Sequence, residues 1–172
     1  MNLANFQTLK GVPLDDTLFN ELARMYSADA YNAVGGAAYL TDVNNGQVTR
    51  RLWKVFGPRG LGWGLDVPDV VNGVAGDQHT AIIPNANFWY AYTDGEETHR
   101  AYISTAGAAS NRDAGYAVTG AMTSCIKKAI SYLGHQNALY CGLVDHTTVG
   151  HLIEQSGTDF AFISDNYIDK GE

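Results

Sequence analysis

Two adjacent lysines, Lys127 and Lys128, stand in the stretch AVTGAMTSCIKKAISYLG, residues 117–134, which is otherwise uncharged. An ammonium pair on a helix is either a solvated face or a hold for something negative. Successive helical residues turn by about 100°, which sets Lys127 opposite Cys125 and Ala129 and groups it with Gly120, Thr123, Ser124 and Ser131. Small residues let a phosphate backbone come close, and the hydroxyls of Thr123 and its neighbours add hydrogen bonds. Lys128 falls on the flank of that face. The wheel places both lysines outside the apolar stripe, so their loss is expected to leave stability nearly unchanged.

Other residue types with chemical potential carry less. GPRGLGWG, residues 57–64, is glycine-rich but lacks the Gly-Lys-Ser/Thr ending of a nucleotide-binding loop, so no ATP site is expected. The five histidines are scattered; His146 and His151 are spaced poorly for a metal, and Asp145-His146 reads as a surface pair. No nucleophile elbow is present. Phe88, Trp89, Tyr90 and Tyr92 read as core and sheet surface, although base stacking is what a single-strand binder needs. Cys125 and Cys141 have no metal-ligand spacing and read as reduced thiols in a cytosolic protein. The expectation is a protein without catalytic residues, metal or cofactor, and not an enzyme.

The 172 residues are 45% hydrophobic and 17% charged, a globular balance large enough for one core. No apolar run reaches membrane-spanning length, and MNLANFQTLK lacks a signal-peptide layout. The net charge of −7 argues against generic nucleic-acid binding, but the charge is unevenly spread. Residues 44–65 carry Arg50, Arg51, Lys54 and Arg59 with no acid, and residues 98–142 carry Arg100, Arg112, Lys127 and Lys128 against Asp113 alone. Brought together by folding, these windows would form a basic stripe on an acidic body, attractive to phosphate.

The elements that must position them follow from periodicity. Leu18, Leu22 and Met25 predict a helix over 15–28, and AVGGAAYL a turn into a short strand. NNGQ at 44–47 reads as a turn, followed by a helix whose Val48, Leu52 and Val55 share a face and which Gly57-Pro58 ends. From Leu61 to about Tyr102 the texture is β: Leu61, Trp63, Leu65 and Val67 alternate, as do Phe88, Tyr90 and Tyr92. DGEE at 94–97 is a hairpin turn, NGVAGDQ at 72–78 a loop, and three or more antiparallel strands are expected. A long helix is predicted from Ser110, with Ser110 and Asp113 as capping box, Val118, Met122, Cys125, Ala129 and Leu133 as apolar stripe, and Gly134 as cap. NALYCGLV suits a short extended piece.

Two stretches together resemble the Rad52 superfamily of single-strand annealing proteins, including its DdrA-like branch and phage recombination proteins. YLTDVNNGQVTRRLWKVFGPRGLGW is similar to the family's strand, turn and helix followed by Phe-Gly-Pro and a tryptophan. AVTGAMTSCIKKAISYLGHQNALY is similar to its basic helix at Thr123, Ile126, Lys127, Lys128, Ala129, Leu133, Gly134, Leu139 and Tyr140. The resemblance covers about residues 35–142. It implies an α+β fold, an antiparallel β-meander packed against a long helix (a β-β-β-α core), assembled into rings or helical oligomers. It further implies ATP-independent binding of single-stranded DNA and annealing of complementary strands in recombination and repair, in the cytoplasm of a bacterial or phage-infected cell. The expected partners are the complementary strand, further copies of the chain, and a single-strand-binding protein or exonuclease, but no membrane. The family's basic pair faces the DNA groove, and Lys127 and Lys128 occupy its place. Some relatives have arginine where this chain offers only Asp29, Tyr31 and Asn32, or Ser131; such contacts would move to Arg50, Arg51, Arg59 or Arg100.

The expected DNA-binding set is thus Lys127, Lys128, Arg50, Arg51, Lys54, Arg59, Arg100, Arg112 and Thr123. Residues 1–142 are expected to form the annealing core with its N-terminal helix, and residues 143–172 an acidic C-terminal segment outside the groove. Two other readings compete: a structural or interaction protein whose basic windows bind an acidic partner, and a small hydrolase with an unrecognised site.

Overall fold

The computed structural model describes residues 3–35 and 37–156. In chain order the elements are β1 (Gln7–Thr8), α1 (Asp16–Ala23), β2 (Tyr31–Val34), β3 (Ala37–Val43), α2 (Asn45–Val55) and β4 (Trp63–Asp66), then β5 (Val71–Ala75), β6 (Gln78–Thr93), β7 (Thr98–Asn111), α3 (Ala114–Ser131), α4 (Asn137–Tyr140) and α5 (Val149–Ser156). The fold is α+β, as the sequence predicts: an antiparallel sheet whose β6 and β7 pack against α3. No helix among the described residues is long and apolar enough to cross a membrane.

β6 is the axis of the sheet. It pairs with β7 along nearly its whole length, from His79–Asn111 to Thr93–Thr98, while β5, β4 and β1 share its other edge. The ladder shifts register between Ile83 and Ala86, where Pro84 has no N–H to donate. The turn at 94–97 is where the sequence puts it: the Asp94 carboxylate accepts from the backbone N–H groups of Glu96 and Glu97, which with His99 lowers its pKa to about 2. Residues 72–78, read as a loop, are instead a hairpin, β5 turning through Gly76-Asp77 into β6 with Gly76 at φ +63°. A glycine opening a two-residue turn supplies the backbone twist that hairpins favour. A separate two-stranded hairpin, β2–β3, precedes α2.

The core lies on one side of the sheet. Leu18 and Leu22 of α1, Val48, Leu52 and Val55 of α2, Trp63, Phe88 and Ile130 form its main part, with Phe56 edge-on to Phe88. Val144, Val149 and Leu152 belong to the same cluster. The core therefore runs on past residue 142 and does not end at the expected segment boundary; residues 157–172, the rest of that acidic segment, lie outside the described residues.

The helix ends correct the sequence reading in detail. Asn44 caps α2 through its side chain to the N–H of Gly46, so NNGQ opens the helix and is not a separate turn. α3 is capped by Asp113, whose carboxylate takes the N–H of Tyr116; Ser110 is held in β7 by Thr80 at 2.8 Å and caps nothing. The deepest positions of α3 are Ala117, Ala121, Cys125, Ala129 and Ile130, while Val118 and Met122 pack at the edge. The stripe is rotated toward alanine because α3 lies close to β7. A Cβ on Gly107 would stand 2.6 Å from the Ala121 carbonyl oxygen. NALY is a single helical turn, not an extended piece.

Candidate nucleic-acid interface

α3 and the start of α2 enclose a groove of about 640 Å³. Its α3 wall carries Gly120, Thr123, Ser124, Lys127, Lys128 and Ser131, the neighbours that the helical wheel predicts for Lys127. Its other wall is Asp42, at the end of β3, and Asn45, in the first turn of α2. Tyr132 and Tyr140 also line it, and Tyr132 is largely exposed.

The exposure expected of Lys127 is not found. Its ammonium donates to the Asp42 carboxylate and to the Val43 carbonyl, both at 2.6 Å, and the residue is only 9% exposed. The wheel orients the side chain correctly but omits the hairpin, whose β3 end lies over the ammonium. Lys127 thus fastens β3 to α3 and sets the start of α2 beside the groove. Lys128, one residue on, is exposed, and its ammonium has no hydrogen bond or ion pair among the described residues. Two lysines against Asp42 leave the groove with one net positive charge.

Asn45 also lines a shallower depression of about 360 Å³ on α2, with Gly46, Thr49, Arg50 and Trp53. These residues recur on one helical face, turned from the Val48–Leu52–Val55 stripe. Arg50 is exposed and borders a third hollow beside Asp29. A single surface therefore runs from Lys128 across Asn45 to Arg50 and Trp53.

The remaining expected residues lie apart from this surface. Arg51 turns inward, donating to the carbonyls of Glu21 and Arg24 at 2.6 and 2.8 Å, with its guanidinium 4.6 Å from the Tyr26 ring centre. Lys54 reaches Glu21 at 3.6 Å. Arg112 meets Asp77 at 3.2 Å, at the far end of the sheet. Arg59 lies over Trp63, and Arg100 over Trp89 at 3.9 Å. The two basic windows thus do not merge into one stripe; of nine expected residues, Lys127, Lys128, Thr123 and Arg50 share the surface. Asp42, Asn45 and Trp53 are its unexpected members. An available signal for Trp53 was a tryptophan on the polar side of an amphipathic helix.

Behind Arg51 lies a buried polar cluster. The Tyr26 hydroxyl and His135 Nε2 are 2.9 Å apart, and the Tyr31 hydroxyl donates to the Gln136 side chain, whose amide donates to the Arg24 carbonyl at 2.8 Å. Burial, reinforced by the charges of Arg51 and Lys127, depresses the His135 pKa to about 3, so the ring is neutral. Burial also raises Tyr31 to about 12. Gln136 holds a left-handed backbone, φ +50°, fixed by these bonds and by its N–H to the Leu22 carbonyl.

Asp145 and His146 do not form an acid–base pair. The Asp145 carboxylate accepts from Thr147 and Thr148, and His146 Nδ1 is 3.0 Å from the Thr41 hydroxyl. Among the described residues no group of three or more His, Cys, Asp or Glu side chains is placed to hold a metal. Known protein families offer no model that matches this chain, and no curated protein matches it either.

Proposed function

We propose that the chain binds single-stranded DNA along the α3–α2 surface and anneals complementary strands without ATP. The observation that carries this reading is the continuity of Lys128, Asn45 and Arg50 over a floor of glycine and hydroxyl residues. A phosphate backbone can approach such a floor closely, and the cations neutralise it. The chain's net charge of −7 disfavours a strand laid elsewhere. Annealing then requires only that two neutralised strands meet with bases accessible.

One protomer supplies few free cations, so useful affinity needs repetition. β7 offers an edge for assembly: it pairs with β6 alone among the described strands. Fluorescence anisotropy with labelled single-stranded and duplex oligonucleotides tests the reading, with strand annealing followed by energy transfer in the absence of ATP. The expected result is salt-sensitive binding that favours the single strand. Absence of binding at low salt by an assembled sample overturns it.

A second reading has one observation in its favour. Three of the windows' arginines, Arg51, Arg59 and Arg100, are dispersed over Tyr26, Trp63 and Trp89 and do not gather into a stripe. An interaction protein with an acidic partner would need no stripe, and it would bind polyglutamate in place of DNA.

A further inference from the structure

The three tryptophans are in unlike states. Trp63 and Trp89 are 2% and 5% exposed, and each has an arginine over its ring, Arg59 and Arg100. Trp53 is 58% exposed and has no such partner among the described residues. It stands on the outer face of α2, one turn from Arg50 and Thr49, and lines a depression that meets the α3 groove at Asn45.

We infer that Trp53 is a stacking platform for one unpaired nucleobase of a strand whose phosphates follow the groove to Lys128. This rests on the single-strand reading above and deepens it by assigning a base subsite. An indole face in water is a costly place for so large an apolar ring, and it is exposed here beside the exposed guanidinium of Arg50. Arg50 supplies the charge that draws the sugar–phosphate of the stacked nucleotide. Gly46, in the first turn of α2, adds no side chain to obstruct it. Stacking on an aromatic face is tolerant of base identity. The subsite should therefore select single strands over duplex, whose bases are already stacked on one another, without selecting sequence. One base held per protomer leaves the others free to pair.

The test compares an oligothymidylate with an abasic oligomer of the same length, by anisotropy and by quenching of tryptophan fluorescence. Trp53 is the solvent-accessible indole, so quenching reports on it. The wild type should bind oligothymidylate about tenfold more tightly than the abasic strand, with quenching. Trp53→Ala should equalise the two, and Trp53→Phe should restore part of the preference. Lys128→Ala should weaken both strands alike. Circular dichroism checks that each variant is folded, as the exposure of Trp53 leads one to expect. Equal binding of both strands by the wild type, or a preference that survives Trp53→Ala, overturns the platform and leaves the phosphate groove standing. Binding of neither strand at low salt overturns the single-strand reading itself, and the platform with it. Quenching by polyglutamate with neither strand bound would assign the face to an acidic protein partner and likewise overturn the platform.

Discussion

Arg50 and Arg51 leave α2 one residue apart and end in opposite surroundings. Arg51 lies over Tyr26 against two backbone carbonyls, beside the neutral His135; Arg50 stands in solvent, lining the depression on α2. Lys127 and Lys128 repeat the division on α3, one pinned to Asp42 and Val43, the other exposed. In each pair one cation is spent on holding the fold and the other is available to a ligand. The inner set carries stability and the outer set carries binding, and that separation can be broken by mutation.

The largest effect is expected at Arg51. Arg51→Ala leaves the Glu21 and Arg24 carbonyls without their charged donor and uncovers Tyr26, and should cost about 3 kcal/mol in urea unfolding. DNA affinity per folded molecule should not change. A loss of affinity without loss of stability would place Arg51 in the outer set.

Acid should act on the same inner set. The folded pKa of His135 is depressed to about 3, so below the ordinary histidine range the unfolded chain takes up a proton that the fold refuses. Stability is full above about pH 6.5 and declines as pH falls toward 3, by about 1.4 kcal/mol per pH unit where the difference is complete. Unfolding curves between pH 7 and 4.5 read this before most carboxylates titrate, and His135→Gln should flatten the dependence. A slope unchanged in that variant would mean that another group drives it.

Lys127→Ala should destabilise by about 2 kcal/mol, since the buried Val43 carbonyl loses its donor and Asp42 its counter-ion. This reverses the expectation drawn from the helical wheel. Lys54→Ala should be the mildest, within about 0.5 kcal/mol, because the Lys54 side of its 3.6 Å pair with Glu21 is largely exposed. A large cost there would show that the ion pair belongs to the inner set.

Local pattern accounts for what was readable in advance. The α2 stripe, the β6–β7 hairpin and its turn, the helical nature of 114–131 and the neighbours of Lys127 all follow from periodicity and turn residues within a short window. The β5 strand was missed because VNGVA carries one glycine and no alternation, and its pairing with β6 is what makes it a strand. Ser110 looks like a cap until β7 claims it. The partner of Lys127 lies 85 residues away in the chain, and no local reading of α3 contains Asp42. Arg51's carbonyls, 30 and 27 residues away on Glu21 and Arg24, are equally beyond a local reading of α2, whereas the exposure of Lys128 and Arg50 is what their helical positions already suggest.

The most direct test of the central claim is the salt dependence of single-stranded DNA binding in Lys128→Ala. If Lys128 meets a phosphate, the slope of log affinity against log salt should fall in magnitude by about 0.7 per protomer contact, while the unfolding midpoint and the assembly size stay those of the wild type. An unchanged slope in a folded, assembled Lys128→Ala protein would contradict the account and make the outer lysine a solvated side chain.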